Sequence, residues 1–391
     1  MSAPTMTDQA SILERARKLR PLIESVRDEM EAQRRMPRQL VQAMCEARLF
    51  QLLVPKSLGG LEVDAMTFAR VIEEVSAMDG SAGWTLMIGS AAGVFAGFVP
   101  ENMAKEVFGR ADSIVAGALA PTGRAREKDG GYRVDGRWSF GSGIHHASWV
   151  GGNCLIFGGD APRIENGLPV MRIMLVPAND VEIHDVWHVS GLRGTGSEDF
   201  SIRDVFVPDE RAFLPFLSQP WCEGPLYKLP LSWFLSTIAL VPLGIARAAI
   251  DALVELATTK VPMRFGAPQP LRERAGAQTA VARAEARLSS GRAFYLDALE
   301  DMWETVKKGR EPSLQQRARL RLATCNAAAL CAQSVDLAYS TGGGSSIYDR
   351  SLLQRCFRDV HAATQHVAVA PDGLEDVGRV LFGLQPASPF F

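Results

Sequence analysis

The sequence predicts an α+β multidomain chain: an N-terminal helical domain, a middle antiparallel β-sheet or barrel domain, and a C-terminal four-helix bundle. Three observations carry this. Apolar residues recur every three or four positions to about residue 108, short alternating β-rich runs take over to about 214, and long helical patterns return from 231. The changes of character set domains at residues 1–111, 112–220 and 221–391.

In the first part, Ile12, Ala16, Leu19, Ile23 and Val26 form one apolar face, and Leu40, Val41, Met44 and Leu49 the next. A Pro55…Gly59-Gly60 break precedes a further face of Phe68, Val71, Ile72 and Val75. The β-rich runs include Gly131-Tyr-Arg-Val-Asp-Gly-Arg-Trp, Cys154-Leu-Ile-Phe, Met171-Arg-Ile-Met-Leu-Val and Asp199-Phe-Ser-Ile-Arg-Asp-Val-Phe-Val. Residues 272–299 and 315–339 then read as Ala-rich helices of a bundle. The run 231–245, flanked and interrupted by Pro230 and Pro242, is shorter than the ~20 apolar residues that span a bilayer and reads as a helix buried in protein.

At 391 residues with 47% hydrophobic and 22% charged content, the chain is long enough for two or three packed units. A formal net charge of −2 gives no general attraction to phosphate backbones or anionic lipid, so neither nucleic acid nor a membrane surface is an expected partner. Six scattered cysteines, without a C-x-x-C pair or a histidine at metal-ligand spacing, read as free thiols in a reducing cytoplasm, and no metal is expected. Residues 1–20 lack the apolar core of a signal peptide.

Four anchors follow one another along the chain: Tyr132-Arg-Val-Asp-Gly-Arg-Trp-Ser-Phe140-Gly-Ser142-Gly143; Gly191-Leu-Arg-Gly-Thr-Gly-Ser197 with Asp204-Val-Phe-Val-Pro208; Met263-Arg264-Phe265-Gly266 with Gln278 downstream; and Gly342-Gly343 with Arg358-Asp359. In this order they resemble the acyl-CoA dehydrogenase fold over almost the whole chain. The resemblance implies a flavin site in which Phe140 lies near the isoalloxazine, Ser142 presents its hydroxyl to flavin N5, and Gly143, Arg193, Thr195 and Ser197 line the cofactor. It also implies that Arg264, with Phe265 and Gln278, meets the phosphate end, commonly across a subunit boundary of a homotetramer. A guanidinium fork suits paired phosphate oxygens. The chain has no strand-Gly-x-Gly-x-x-Gly-helix unit for a nicotinamide, so electrons for a reduced flavin are expected from another protein.

A dehydrogenase of this fold needs a carboxylate base held dry against a thioester substrate. Alignment on Arg358-Asp359 puts Val367 where the common base stands, and the other known position, near Phe234, has no acid anywhere in 231–247. Loss of a general base costs about 10²–10⁴ in rate. His366 stands beside the empty position instead. With Asp185-Val-Trp187, Gly141-Ser142-Gly-Ile-His145-His146 and Arg358-Asp-Val-His361…His366, the chain is similar to oxygenase components of two-component flavin monooxygenases, the group of secosteroid phenol hydroxylase, p-hydroxyphenylacetate hydroxylase and dibenzothiophene monooxygenase.

That resemblance implies reduced FMN or FAD from a separate NAD(P)H:flavin reductase, O2 as co-substrate, and a C4a-hydroperoxide that hydroxylates a small aromatic or heterocyclic compound. Ser142 and His366 are then the catalytic residues, the serine keeping the N5 proton in place and the histidine accepting a substrate proton or orienting the peroxide. Trp84, Ala92, His146 and Phe234 line the substrate side with His366. Ala92 falls where the phenol hydroxylases carry a histidine that meets the phenolic oxygen, which disfavours a phenol and leaves an indole, a sulfur heterocycle, a polyketide aromatic or an amine open. Two alternatives stay open: an acyl-CoA dehydrogenase or oxidase using FAD and a non-standard base, and a non-catalytic flavin- or acyl-binding homologue.

Overall fold

The computed structural model describes residues 6–216, 218–262, 269–388 and 391. Seven helices come first: α1 (Met6–Arg17), α2 (Arg20–Ser25), α3 (Arg27–Gln33), α4 (Arg38–Glu46), α5 (Ala65–Met78), α6 (Gly80–Ala91) and α7 (Glu101–Phe108). Nine strands follow: β1 (Val115–Lys128), β2 (Gly131–Gly141), β3 (Trp149–Phe157), β4 (Ile164–Glu165), β5 (Leu168–Pro169), β6 (Met171–Pro177), β7 (Glu182–His184), β8 (Glu198–Pro208) and β9 (Ala212–Phe213). The chain ends in α8 (Leu231–Ser236), α9 (Leu240–Thr259), α10 (Ala275–Lys307), α11 (Leu314–Gly342), α12 (Leu352–Ala363) and α13 (Gly373–Leu381). The helical, sheet, helical order expected from periodicity is the order found.

Two compact units divide these elements. One holds the residues up to Asp64, Thr85–His188 and Arg193–Lys228; the other holds Ala65–Trp84, Val189–Leu192 and Leu229 onward. Thus α5 and the start of α6 belong with the C-terminal helices, where α5 packs along α9.

In the first unit seven strands form one sheet in the order β7-β8-β2-β1-β3-β6-β9, while β4 and β5 pair as a separate ribbon. Every neighbouring pair is antiparallel except β1 and β3, which run parallel. After β2 the chain turns through Ile144–His146 and returns along the free edge of β1 in the same direction, a crossover that strand alternation alone does not foretell. Trp138 is the centre of this unit's core. Its ring stacks on Phe200 at 5.2 Å, its indole N–H donates to the Asn153 carbonyl at 2.8 Å, and a Cβ at Gly123, Gly136 or Gly152 would lie 2.1, 2.6 or 2.8 Å from the ring. Those glycines let the strands close on a flat indole.

In the second unit α9, α10, α11 and α12 pack on one another, and α11 opens with a capping box in which Ser313 Oγ and the Gln316 side chain satisfy each other's backbone N–H groups. Pro242 does not break the apolar run as its position in sequence suggests. It is the third residue of α9, where no intrahelical N–H donor is needed, so the helical path runs on from Leu231 to Thr259. That run and Gly80–Phe98 are long and apolar enough to cross a membrane by length and composition, but 78% and 89% of their apolar windows are buried inside the protein, as befits core helices.

Candidate active site

In the first unit the register of β2 against β8 sets Gly141 opposite Glu198, which brings the turn after β2 beside the turn before β8. The result is a row of buried hydroxyls. Ser142 Oγ lies 2.7 Å from Ser197 Oγ, which lies 2.7 Å from Thr195 Oγ1, and Gly143 N–H donates to the Thr195 carbonyl at 2.9 Å. Gly143 has φ +73°, a conformation glycine adopts without strain, and Phe140 is also left-handed at φ 67°. Phe140 stands 69% exposed and meets Trp187 edge-on at 6.2 Å.

The structure brings together Phe140, Ser142, Gly143, Thr195 and Ser197 of the expected cofactor residues, with Arg193 opening the same short turn (Arg193–Thr195). Around them are polar atoms that lack a hydrogen-bond partner among the described residues: Arg193 Nε, His146 Nε2 and Thr85 Oγ1. Thr85 is close enough to the turn that a Cβ on Gly143 would lie 2.9 Å from its methyl group. Burial, then the neighbouring His145 and Arg35, push the His146 pKa down to about 4, so its ring is neutral. Buried donors and acceptors without partners are costly unless a ligand completes them, and a flat heterocycle rich in ring nitrogens and carbonyls is such a ligand.

In the second unit Arg358 and Asp359 on α12 clamp residues 190–192. Arg358 Nη1 donates to the Ser190 carbonyl at 2.6 Å, Leu192 N–H donates to Asp359 Oδ1 at 2.6 Å, and a Cβ at Gly191 would fall 2.0 Å from the Arg358 carbonyl oxygen. Two anchors far apart in sequence therefore touch, and the Arg-Asp pair serves as their fastening.

Beyond the end of α12, His366 sits on a turn. Arg321 holds it by donating to the carbonyls of Ala368 at 2.7 Å and Val367 at 3.2 Å, and Gly373 lies against the same guanidinium. His366 Nδ1 accepts the Ala368 N–H at 3.1 Å, and the ring meets buried Trp84 edge-on at 5.8 Å. Burial, then the Arg321 charge, lower its pKa to about 4. A neutral imidazole whose Nδ1 accepts carries its proton on Nε2, so this residue offers a fixed donor. Val367, which the sequence alignment expects at the dehydrogenase base position, is 73% exposed.

Ala92 is buried in the short helical turn Ala92–Phe98, Phe234 is half-buried on α8, and Gln278 is exposed on α10, its amide donating to the Arg272 carbonyl at 3.1 Å. Arg264 and Phe265 fall outside the described residues. Thr85 and Glu198 were missed. Thr85 carried a signal, since it follows Trp84 in the segment already singled out; Glu198 carried none.

A helical, sheet, helical chain with a buried serine turn and a neutral His366 fits a flavin-dependent oxygenase on the acyl-CoA dehydrogenase scaffold. Residues 7–107 match the family model "Acyl-CoA dehydrogenase, N-terminal domain" and residues 236–371 match "Acyl-CoA dehydrogenase, C-terminal domain". The chain is 34% identical over 372 residues to indole-3-acetate monooxygenase of Pseudomonas putida, covering 93% of each protein. It is 30% identical over 370 residues to the flavin-dependent monooxygenase oxygenase subunit HsaA of Rhodococcus jostii, covering 92% of this chain and 95% of that one. The crystal structure of 3-HSA hydroxylase from a Rhodococcus species matches with a TM-score of 0.88 at 28% identity, over 97% of this chain and 99% of that one. The chain belongs to the flavin-dependent monooxygenases of the acyl-CoA dehydrogenase family. Relatives are named oxygenase subunit or oxygenase component, one of them FADH(2)-dependent, and the chain is an oxygenase component of that kind.

Proposed function

We propose that this oxygenase hydroxylates an aromatic heterocycle of the indole class, with His366 as a hydrogen-bond donor and Ser142 as the hydroxyl at flavin N5. The observation that carries the reading is the bond from Ala368 N–H to His366 Nδ1 on a ring whose pKa is lowered to about 4. It supports a histidine that is neutral at physiological pH and already turned to donate from Nε2. To act as a base at Nε2 the ring would have to move its proton to Nδ1, setting two N–H groups against each other at Ala368.

Reduced flavin supplies the two electrons that split O2, one oxygen atom entering the substrate and the other leaving as water. The protein's part is positional. Ser142 is fixed through Ser197 and Thr195, which suits it to hold a proton in place at the flavin, and Arg193 Nε and His146 Nε2 can take polar edges of the ring system. Ala92 is buried and its methyl group has no polar atom to meet a phenolic oxygen. That favours an indole over a phenol, in line with the relative that oxygenates indole-3-acetate.

Turnover with an NADH:flavin reductase under 18O2 tests this. One labelled oxygen in product from indole or indole-3-acetate, with little from resorcinol, is the expected result. No labelled product from any of these, or anaerobic bleaching of bound oxidised flavin by an acyl-CoA, overturns it. We further propose a cytoplasmic homotetramer, on the strength of six free thiols and of exposed apolar side chains such as Leu381, Phe382 and Leu384; a monomer in sedimentation contradicts that.

A further inference from the structure

Glu198 is a buried carboxylate at the foot of the serine turn, and the catalytic reading leaves it without a task. It opens β8 and lies across from Gly141. Its Oε2 accepts two backbone N–H groups, from Val186 and Trp187, each at 2.7 Å, while Oε1 lies 3.7 Å from His145 Nε2. Residues 185–189 have no regular secondary structure, so this strap between β7 and the Gly191 segment has no ladder of its own. Arg34 also holds it, donating to Asp185 Oδ1 at 2.7 Å and to the Trp187 carbonyl at 3.3 Å. Trp187 is therefore gripped at both its N–H and its C=O, and its ring stands perpendicular to that of Phe140, at 88°. Phe140 keeps a left-handed backbone with most of its ring exposed, a conformation that needs bracing.

We propose that Glu198 is a positioning residue for the flavin: it holds the 185–187 strap so that Trp187 braces Phe140, and this aromatic pair is the surface presented to the cofactor. The proposal rests on the reading that Phe140 faces flavin. An aromatic edge held at fixed angle can meet a ring system without paying for reordering at the moment of binding.

The test uses the full chain, first without flavin. Glu198→Ala should speed hydrogen exchange at the Val186 and Trp187 amides by roughly tenfold or more, while Glu198→Gln, which keeps an acceptor oxygen, should restore slow exchange. Titration with FMN and FAD, oxidised and dithionite-reduced, then reads the site: Glu198→Ala should weaken the bound form by about tenfold and Glu198→Gln should recover it. Trp187→Leu leaves the carboxylate bonds intact, keeps the idea testable if Glu198→Ala does not fold, and should weaken flavin to a similar degree. A loosened strap with unchanged flavin affinity, or unchanged affinity in Trp187→Leu, overturns the proposal. If Phe140→Ala also binds flavin as the parent does, the flavin reading of Phe140 is what falls.

Discussion

At Ser142 three side-chain hydroxyls hold one another, whereas at His366 the main chain does the holding. The serine turn draws its geometry from the register of two strands, and its Ser142–Ser197–Thr195 row can run its O–H bonds in either direction. The histidine turn follows a helix end, is tied by Arg321, and has its ring nitrogens assigned by one backbone N–H. The first arrangement adapts to either protonation state of a ligand atom. The second commits to one, and commitment makes it the more fragile of the two.

The largest effect is accordingly expected at the histidine. Removing one preorganised donor costs about 10²–10³ in turnover, so His366→Ala should lower the rate of product formation by that factor while flavin titration stays near that of the parent. His366→Gln, which can still present an N–H, should recover part of the loss. Full-rate hydroxylation by the alanine variant would reduce the histidine turn to scaffolding.

A smaller effect is expected at the hydroxyl row, because its members can reorient. Ser142→Ala removes the end of the row and should raise the ratio of hydrogen peroxide to product by about tenfold, the size of one lost hydrogen bond. Ser197→Ala leaves Ser142 in place without its neighbour and should raise the ratio less. Equal ratios in both variants and the parent would mean that the row only fills space.

The two ends differed in how far the sequence disclosed them. Ser142, Thr195 and Ser197 were legible as neighbours because each sits in a short motif whose order along the chain is specific. Glu198 was not, since nothing in the spacing Ser197-Glu198-Asp199 distinguishes a buried clamp from an exposed acid; the pairing of β2 with β8 decides it. The helix, sheet, helix order followed from periodicity, but the parallel pairing of β1 with β3 depends on a chain return that local alternation does not encode. Pro242 misled because a proline's effect depends on its place within a helix, and that place is set by where α9 begins. The role of Arg358-Asp359 became physical only when Gly191 was seen against the α12 backbone.

Acid should expose the cost of keeping both histidines neutral. His146 and His366 have folded pKa values of about 4, against ~6.5 for an unfolded histidine, so between those values the unfolded chain binds more protons and stability rises with pH. Stability from this source is complete above about pH 6.5 and is lost as the pH falls toward 4. Thermal melts from pH 7.5 to 4.5 should show Tm dropping, with a shallower fall in His146→Gln and in His366→Gln. A slope unchanged in both variants would place the rings in water.

The smallest effect is expected one residue beyond the histidine. Val367 aligns with the place of the dehydrogenase glutamate when the sequences are matched on Arg358-Asp359, yet its side chain is 73% exposed and its carbonyl accepts from Arg321. Val367→Glu should therefore behave as a surface change, within about 0.5 kcal/mol of the parent in stability and with Tm moved by about a degree or two. It should not create acyl-CoA dehydrogenation, because a carboxylate in water is not the desolvated base that α-proton removal demands. Anaerobic mixing of the flavin-loaded variant with an acyl-CoA checks this: flavin that stays oxidised fits a histidine turn built for donation, whereas rapid bleaching would show that position 367 reaches the reacting carbon and that one substitution separates the two chemistries.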